Sequence, residues 1–361
     1  MTQDVINAVG RETVSAPSLG TRILTHHLLW PAVAFVVLIV ACGVFSPGFL
    51  DITIRDGHLF GQLIDILRAS ATPLLLALGM CLVIASGGID LSVGAVMAMS
   101  LAISLTFLKG SASANSVPTA LVAIGLGLLI GLAVGLFNGT MVSVLKIQPF
   151  IATMIIMVAG RGIAMLMTKG QITTVYAAPF KAIGSGFFLG LPIPVVIAAV
   201  VTVLVLVVVR KTALGTLLES IGINRQAAHL AGVPAGAIIL LVYGLCGLLA
   251  GLAGMVYGAP TMAADANNIG LMKELDAILC VVIGGTSLAG GKFYLSGTVI
   301  GALVLSTLER AVIIFRFPSQ TTPLFKAVVV IVICVAQSRT LRERIARRSL
   351  RVQAAKGEVT R

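Results

Sequence analysis

Long apolar blocks alternate with short polar segments along most of this chain. A membrane-spanning helix needs about 20 mostly apolar residues, because the hydrocarbon core of a bilayer is about 30 Å thick. The pattern predicts an all-α polytopic membrane protein with about ten transmembrane helices. The ten blocks are 29–46, 64–86, 91–108, 118–145, 149–168, 192–209, 236–258, 275–290, 295–315 and 323–338. The eighth and tenth blocks are short, so the number of spans could also be nine, or one block could be re-entrant.

Composition supports a membrane protein and leaves little room for a soluble domain. Hydrophobic residues make up 58% of the 361 residues and charged residues only 11%, whereas ordinary soluble proteins carry about 25% charge. The five cysteines are widely spaced in apolar blocks, and the four histidines show no metal-ligand spacing. We therefore expect no catalytic residues, no metal site and no cofactor bound by the chain itself.

The distribution of Lys and Arg predicts the orientation in the membrane. Eight of them follow the last block, and several more lie in the longest internal polar loop, 210–235. Cytoplasmic loops are enriched in Lys and Arg, and an even number of spans puts both termini and this loop on the cytoplasmic side. The basic tail lacks interleaved aromatic residues, so we expect it to face lipid headgroups rather than nucleic acid. The predicted parts are an N-terminal cytoplasmic tail (1–28), a transmembrane domain (29–338) and a basic cytoplasmic tail (339–361).

Two glycine-rich breaks interrupt the apolar pattern, one in each half of the chain. The first contains Gly87, Gly88 and Asp90, and the second runs from Ile283 to Gly291. A charge within hydrocarbon costs roughly 2.5–3.5 kcal/mol and usually marks a partner or a pathway. Corresponding interrupted segments in two halves of a transporter point to a transport site at their interface. We therefore expect Gly87, Gly88 and Asp90 to border a pathway.

The second break also resembles a phosphate-binding loop, but only in part. Lys292 follows two glycines, yet Thr286 stands where the first glycine of the motif belongs. Phe293 replaces the Ser or Thr that would hold magnesium. We therefore predict that ATP, if used, is hydrolysed by a partner.

Other polar residues are candidates for the same pathway. Arg161 is embedded in the fifth block, where it either contacts a substrate or pairs with a carboxylate or backbone carbonyls. The loop containing Asp265, Asn267, Asn268 and Glu274 is rich in amides and carboxylates. Such groups bind sugars, but they also cap turns and helices. Both interpretations remain open from sequence.

Two further pairs of charged residues lie at block ends. Asp65 and Arg68 are three residues apart, which predicts a local ion pair on one helix face. Glu309 and Arg310 close the ninth block and are expected to face headgroups.

Glycines spaced four apart predict close helix packing. Such small-residue ribbons allow two helix backbones to approach closely, and van der Waals contact then drives association in lipid. The ribbons lie in the fourth block (Gly127, Gly131, Gly135 and Gly139) and the seventh (Gly247 and Gly251).

The loop 210–235 contains short helical stretches broken by glycine. Its segment 226–232 offers a small, Ala-rich face with low charge, which suits docking into a groove of another protein. This segment resembles the cytoplasmic coupling motif of bacterial ABC importer permeases, in which a short helix docks on the ATPase. The resemblance implies that the coupling residues are Gln226, Ala227, Ala228, Ala231, Gly232 and Val233.

A second motif narrows this resemblance. Ser86 to Gly94 resembles the hallmark of the monosaccharide branch of these permeases, which includes ribose, arabinose and xylose importers. The stretches 56–61 and 264–268 resemble the galactofuranose importers of that branch more closely.

The resemblance implies a multi-pass subunit of the bacterial inner membrane that carries a monosaccharide by alternating access. The implied partners are a cytoplasmic ABC ATPase that uses ATP and Mg²⁺, a periplasmic sugar-binding protein and a second permease, identical or different. The alternative is an ion-coupled secondary sugar transporter. For that role Asp90 and Arg161 are the only plausible ion-coupling groups, which is sparse.

Overall fold

The computed structural model describes residues 28–337. The two predicted cytoplasmic tails, apart from residue 28, lie outside this range. The described chain is mostly helical, and the helices are α1 Leu29–Phe45, α2 Gln62–Ala85, α3 Val93–Gly110, α4 Val117–Ser143, α5 Pro149–Met167, α6 Ala178–Ser185, α7 Ile193–Lys211, α8 Leu214–Ile223, α9 Arg225–Leu230, α10 Ala235–Gly258, α11 Lys273–Ile283, α12 Leu295–Ile314 and α13 Thr322–Gln337.

Short antiparallel strand pairs connect some of the helices. A hairpin precedes α2, a second one precedes α7, and a third pair joins the loop after α5 to the loop after α10. The pairs are β1 Thr53–Arg55 with β2 His58–Phe60, β4 Phe187–Phe188 with β5 Leu191–Pro192, and β3 Thr173–Thr174 with β6 Ala263–Ala264.

Among residues 28–337, seven helices are long and apolar enough to cross a membrane: α2, α3, α4, α5, α7, α10 and α12. The other three predicted spans correspond to α1, α11 and α13, which have 17, 11 and 16 residues. Helix α11 ends at Ile283 because Gly284 and Gly285 of the second glycine-rich break follow it. The predicted block 275–290 is thus a short helix followed by non-helical chain. The count of ten crossings remains a prediction.

The long helices differ sharply in burial. In the most apolar part of α2, 83% of the residues are buried, and the share is 72% in α3 and in α10. In α7 only 17% of these residues are buried. Helices α2, α3 and α10 therefore form the centre of the bundle. The exposed apolar faces of α4, α5 and α7, which include Leu129, Ile155 and Val200, can face lipid or a second subunit.

The sequence predicts close packing at the glycine ribbons, and the structure shows that these ribbons pack α4 directly against α10. A carbon added at Gly247 would lie 2.7 Å from the Cα of Gly135. One added at Gly139 would lie 3.0 Å from the Cα of Leu240. The two backbones therefore touch without intervening side chains, which maximises dispersion contact between them.

The bundle has two distinct ends. At one end, α2 and α11 begin and α12 ends, and an ion pair of 3.0 Å joins Arg310 to Asp65. We call this the α11 end. At the other end α7 and α2 terminate and α8 and α9 lie, and we call this the α9 end.

Candidate functional site

The first glycine-rich break turns the chain back toward the centre of the bundle. Helix α2 ends at Ala85, Gly87 takes a left-handed conformation with φ +81°, and Gly88 N donates to Val83 O at 3.0 Å. A carbon added at Gly88 would lie 2.5 Å from the Tyr243 hydroxyl oxygen. Glycine is therefore required at Gly88 by close approach and favoured at Gly87 by backbone conformation.

Asp90 lies in a fully buried polar network between α2 and α3. It is 1% exposed, and its Oδ1 accepts hydrogen bonds from the backbone N (2.9 Å) and Oγ (2.6 Å) of Ser92. Asn138 Nδ2 of α4 donates to Ser92 Oγ at 2.7 Å. Within residues 28–337, Asp90 Oδ2 and Asn138 Oδ1 have no hydrogen-bond partner. The predicted pathway residue is thus surrounded by protein, with the Cys246 thiol beside it.

Two other helices hold the extended chain around Asp90. Thr153 of α5 accepts from Leu91 N at 3.1 Å, and its hydroxyl proton is shared between Ile89 O at 3.2 Å and Pro149 O at 3.0 Å. The hydroxyl group of Tyr243 in α10 donates a hydrogen bond to Ile89 O at 3.5 Å. These bonds satisfy non-helical backbone groups, which is the condition for irregular structure inside a membrane protein.

The second break lies against the first. Gly291 N donates to Ala85 O at 3.0 Å, and a carbon added at Gly290 would lie 2.9 Å from the Cα of Gly87. The two interrupted segments, far apart in sequence, are therefore in backbone contact.

Helix α8 completes this contact through Gly222. A carbon added at Gly222 would lie 2.3 Å from Gly291 N and closer still to Ala85 O. No side chain larger than hydrogen fits at Gly222 without moving one of these backbones. We call the group Ala85, Gly87, Gly222, Gly290 and Gly291 the glycine junction.

The predicted coupling residues form α9 and the turn after it. Asn224 caps the helix by accepting from Ala227 N at 3.0 Å. Ala228 is 5% exposed and anchors the helix, and Val233 is half-buried. The remaining predicted residues, Gln226, Ala227, Ala231 and Gly232, are exposed.

Glycine ends α9 in a common helix-capping arrangement. Gly232 N donates to His229 O and Val233 N donates to Ala228 O, both at 3.0 Å. Gly232 has φ +83°, and space around it is open. Leu230, 88% exposed, projects beside this turn. These exposed residues (Gln226, Ala227, Leu230, Ala231 and Gly232) form what we call the α9 surface, which has small side chains and low charge.

Arg161 holds the loop between α10 and α11 through backbone carbonyls. Its Nη1 donates to Ala266 O at 3.0 Å, to Asn267 O at 3.3 Å and to Ile269 O. Of the alternatives left open by the sequence, the structure shows pairing with backbone carbonyls. Arg161 therefore fixes the position of this loop.

Asp265 organises the same loop from within. Its Oδ1 accepts from Asn267 N at 3.1 Å and its Oδ2 from Asn268 Nδ2 at 2.7 Å. The Asn268 side chain hydrogen bond is the main reason that the pKa of Asp265 lies below its usual value, and backbone N–H groups and Arg161 add to it. The side chains of Asn267 and Asn268 lie at the exposed face.

Glu274 connects this loop to the start of α3. It is 9% exposed and lies in the first turn of α11, and a carbon added at Gly94 would lie 2.6 Å from its Oε2. Gly270 contacts Gly94 as well. The structure thus brings Arg161, the loop and Glu274 to one side of the beginning of α3, with Asp90 four residues earlier on the chain. The coupling residues lie apart, at the α9 end.

The predicted ion pair between Asp65 and Arg68 is wrong. Asp65 pairs with Arg310 rather than Arg68, and Arg68 donates to Gly184 O at 2.9 Å. Glu309 is likewise engaged within the protein, at 2.6 Å from Lys326.

A charged cluster that the sequence reading missed joins three helices at the α11 end. Asp276 of α11 contacts Lys273 at 2.8 Å and Lys326 of α13 at 2.7 Å. Glu309 of α12 contacts Lys326 at 2.6 Å and Lys273 at 3.9 Å. The position of Lys326 inside an apolar block could have indicated this cluster, because a charged residue within a membrane span requires a partner. Asn138 in the fourth block carried the same kind of signal.

Long apolar helices around buried, discontinuous segments define a polytopic helical membrane protein of the transport class. The profile of the family described as "Branched-chain amino acid transport system / permease component" matches residues 62–336. The chain belongs to this permease family. It is a membrane permease component rather than an enzyme, and a multi-pass protein of the inner membrane.

Curated relatives agree with this assignment. The chain is 46% identical over 316 residues to the galactofuranose transporter permease protein YtfT of Escherichia coli K12, covering 86% of this chain and 91% of that protein. It is 41% identical over 343 residues to the fructose import permease protein FruF of Bifidobacterium longum, covering 92% and 95%. It is 36% identical over 311 residues to the ribose import permease protein RbsC of Escherichia coli K12, covering 85% and 92%. No solved structure matches the chain. The family resemblance predicted from the sequence is confirmed.

Proposed function

We propose that this protein is the membrane-spanning permease subunit of an ATP-driven importer that receives a monosaccharide from a binding protein. It carries the sugar across the bacterial inner membrane by alternating access. The proposal rests on the family and on relatives whose names state galactofuranose, fructose and ribose transport or import. The sugar is a galactofuranose-like hexose or another pentose or hexose.

In the proposed topology the chain crosses the membrane ten times, with both termini in the cytoplasm. Helices α1, α11 and α13 complete the seven long spans. The α9 end faces the cytoplasm, which agrees with Arg210 and Lys211 in the last turn of α7. The α11 end then faces the periplasm.

In this arrangement the α9 surface docks on a cytoplasmic ABC ATPase. The contact is made by Gln226, Ala227, Ala231 and Gly232, with Ala228 and Val233 anchoring the segment. The short apolar side chains and the exposed Leu230 suit insertion into a groove. The permease binds no cofactor itself, and the partner uses ATP and Mg²⁺.

The structural observation that supports coupling between the docking surface and the pathway is the glycine junction. Helix α8 precedes α9 directly and touches both breaks through backbone atoms at Gly222. Because no flexible side chain separates these backbones, a displacement of α8 moves the breaks as well. Gly88 then contacts Tyr243, and the adjoining chain leads to Asp90. A mechanical connection thus runs from the docking surface to the centre of the bundle.

The predicted pathway residues divide into two roles in this proposal. Gly87, Gly88 and Asp90 form the moving break that borders the pathway. Arg161, Asp265 and Glu274 hold the loop between α10 and α11, and Asn267 and Asn268 present amide groups to the sugar. A second permease, identical or different, covers part of the exposed faces of α4, α5 and α7, and lipid covers the rest.

The test is copurification of an ABC ATPase with the tagged permease from detergent-solubilised membranes. Leu230→Asp places a charge on the α9 surface and is expected to abolish copurification while leaving the permease monodisperse. The matched control is Leu189→Asp, because Leu189 is also 88% exposed but lies between β4 and β5. Equal recovery of the ATPase with both variants would contradict the docking assignment.

A further inference from the structure

A separate cavity of about 410 Å³ opens at the α11 end of the bundle. Residues of α2, α10, α11 and α12 line it, together with the Gly184 and Pro194 segments. This volume lies within the range of about 300–1,000 Å³ that is typical of small-molecule sites. The cavity is distinct from the loop held by Arg161 and from the α9 surface.

Four of the five charged groups that line the cavity are in ion pairs, and the fifth, Arg68, donates to Gly184 O at 2.9 Å. Arg310 donates to Gln62 Oε1 at 2.6 Å and to Asp65 Oδ2 at 3.0 Å. Lys273 is bound by Asp276 and Glu309. Each carboxylate lining the cavity therefore has a cation beside it, so an ionic ligand at Asp65, Glu309, Lys273 or Arg310 would have to compete with an existing ion pair.

The same groups retain hydrogen-bonding capacity for a neutral ligand. Half of the Asp65 side chain is exposed, as is 35% of that of Glu309. Carboxylates offer about four acceptor positions and guanidinium groups offer five donors. Donors and acceptors thus both line the cavity, a combination that can bind several hydroxyl groups.

An aromatic ring provides an apolar surface in the same cavity. Tyr257 lines the cavity and is 47% exposed. Small-molecule sites combine apolar or aromatic walls with a few placed polar groups. A sugar ring has a C–H face that packs on such a ring and a hydroxyl edge that bonds to charged planar groups.

The walls behind these side chains are rigid. Pro73, Pro194 and Pro260 line the cavity, and a carbon added at Gly184 would lie 2.5 Å from Pro260 Cδ. Arg68 donates to Gly184 O at 2.9 Å. The cavity is therefore built by fixed backbone contacts.

We propose that this cavity binds a neutral monosaccharide at the periplasmic end of the permease. The inference rests on the proposed function, which supplies the orientation and the sugar class. In this arrangement Tyr257 packs on the ring, and Asp65, Glu309 and Arg310 bond to the hydroxyl groups. The site receives the sugar before it reaches the central breaks.

The test uses saturation-transfer NMR on the purified full-length permease, with D-ribose, D-fructose and D-galactose as probes. Ala69→Trp fills the cavity from α2 and is expected to lower saturation transfer about tenfold or more. Val200→Trp is the matched control, because Val200 is 52% exposed on α7 and does not line the cavity. It is expected to bind like the wild type.

A second variant protects the test from misfolding at position 69. Tyr257→Ala removes an exposed ring and is expected to weaken binding about tenfold, while Tyr257→Phe retains it. Unchanged binding in both Ala69→Trp and Tyr257→Ala, or no saturation transfer from any probe to the wild type, overturns the site.

Uptake by the complete importer distinguishes failure of the site from failure of the proposed function. If wild-type uptake depends on ATP and Ala69→Trp matches it, the function stands and the cavity assignment falls. If uptake of all three sugars is absent in the wild type, the proposed function falls, and with it this inference.

Discussion

The two ends of the helical bundle are held together by different chemistry. At the α9 end, the glycine junction brings three segments into direct backbone contact without any ion pair among its members. At the α11 end, Lys273, Asp276, Glu309 and Lys326 connect three helices through charged side chains.

This difference has a mechanical meaning. Backbone contact at glycine transmits a displacement directly, because packed interiors are stiff and no rotamer change can absorb the motion. Long charged side chains can keep their contacts while helices shift by small distances. The α9 end is thus suited to transmitting a displacement to the breaks. The α11 end is suited to holding helices together while the centre rearranges.

The substitution with the largest expected effect is Gly222→Val, which tests the backbone contact at the glycine junction. The added carbons collide with Ala85 O and Gly291 N, so α8 must separate from the breaks. We expect ATP-dependent sugar uptake to fall about tenfold or more. Gly236→Val is the control, since nothing lies within 4 Å of a carbon added at Gly236. Uptake by Gly222→Val equal to that of the control would show that the junction is not needed.

Gly232→Val tests the turn that follows α9. A β-branched residue at φ +83° is strained, by about 1–2 kcal/mol, although there is open space for the side chain. We expect weaker ATPase binding and uncoupled transport, with normal membrane insertion. Gly232→Asn should stay close to the wild type, because Asn tolerates a left-handed conformation. Binding to immobilised ATPase gives the comparison, and identical affinities for the two variants would be inconsistent with it.

The α11 end is probed by Asp276→Ala. The substitution leaves Lys273 and Lys326 to share Glu309, and both lysine side chains are largely buried. We expect a loss of stability of about 3 kcal/mol, measured by thermal unfolding in detergent. Asp276→Leu combined with Lys326→Met should be milder, because it removes both partners of one pair. A double variant less stable than the single one would argue against this account of the cluster.

The smallest effect is expected at Asp265, in the loop between α10 and α11. Its pKa is lowered chiefly by the Asn268 side-chain hydrogen bond. The stabilisation is therefore complete above the usual Asp pKa and disappears only as the pH falls through the lower, folded-state value. Asp265→Asn should raise hydrogen exchange in residues 265–270 at neutral pH, at a cost of at most about 1 kcal/mol. Unchanged exchange would mean that Asp265 does not hold the loop.

The sequence predicts the centre of the fold well because the relevant signals are local. The apolar runs of α2 and α10 identify helices, and the glycine spacing in α4 and α10 identifies helices that pack closely. The Gln226–Val233 motif points to the exposed α9 surface. Each of these features depends on residues close together in the chain.

Features that depend on distant partners were not predictable in the same way. The sequence left the partner of Arg161 open, because the backbone carbonyls that it binds leave no mark in a sequence. Asp276 meets Lys326 fifty residues later, and Asp65 meets Arg310 instead of its neighbour Arg68. Helix α11 stops early because Gly284 and Gly285 of the second break follow it, although the surrounding residues are apolar.

The central claim is that ATP hydrolysis by a partner, coupled through the α9 surface, drives sugar import. Uptake of radiolabelled monosaccharide into proteoliposomes containing the permease, its ATPase and its binding protein tests this claim most directly. We predict uptake that requires ATP and all three proteins and is lost in Leu230→Asp. Uptake by the permease alone, driven by a proton or sodium gradient without ATP, would contradict the account.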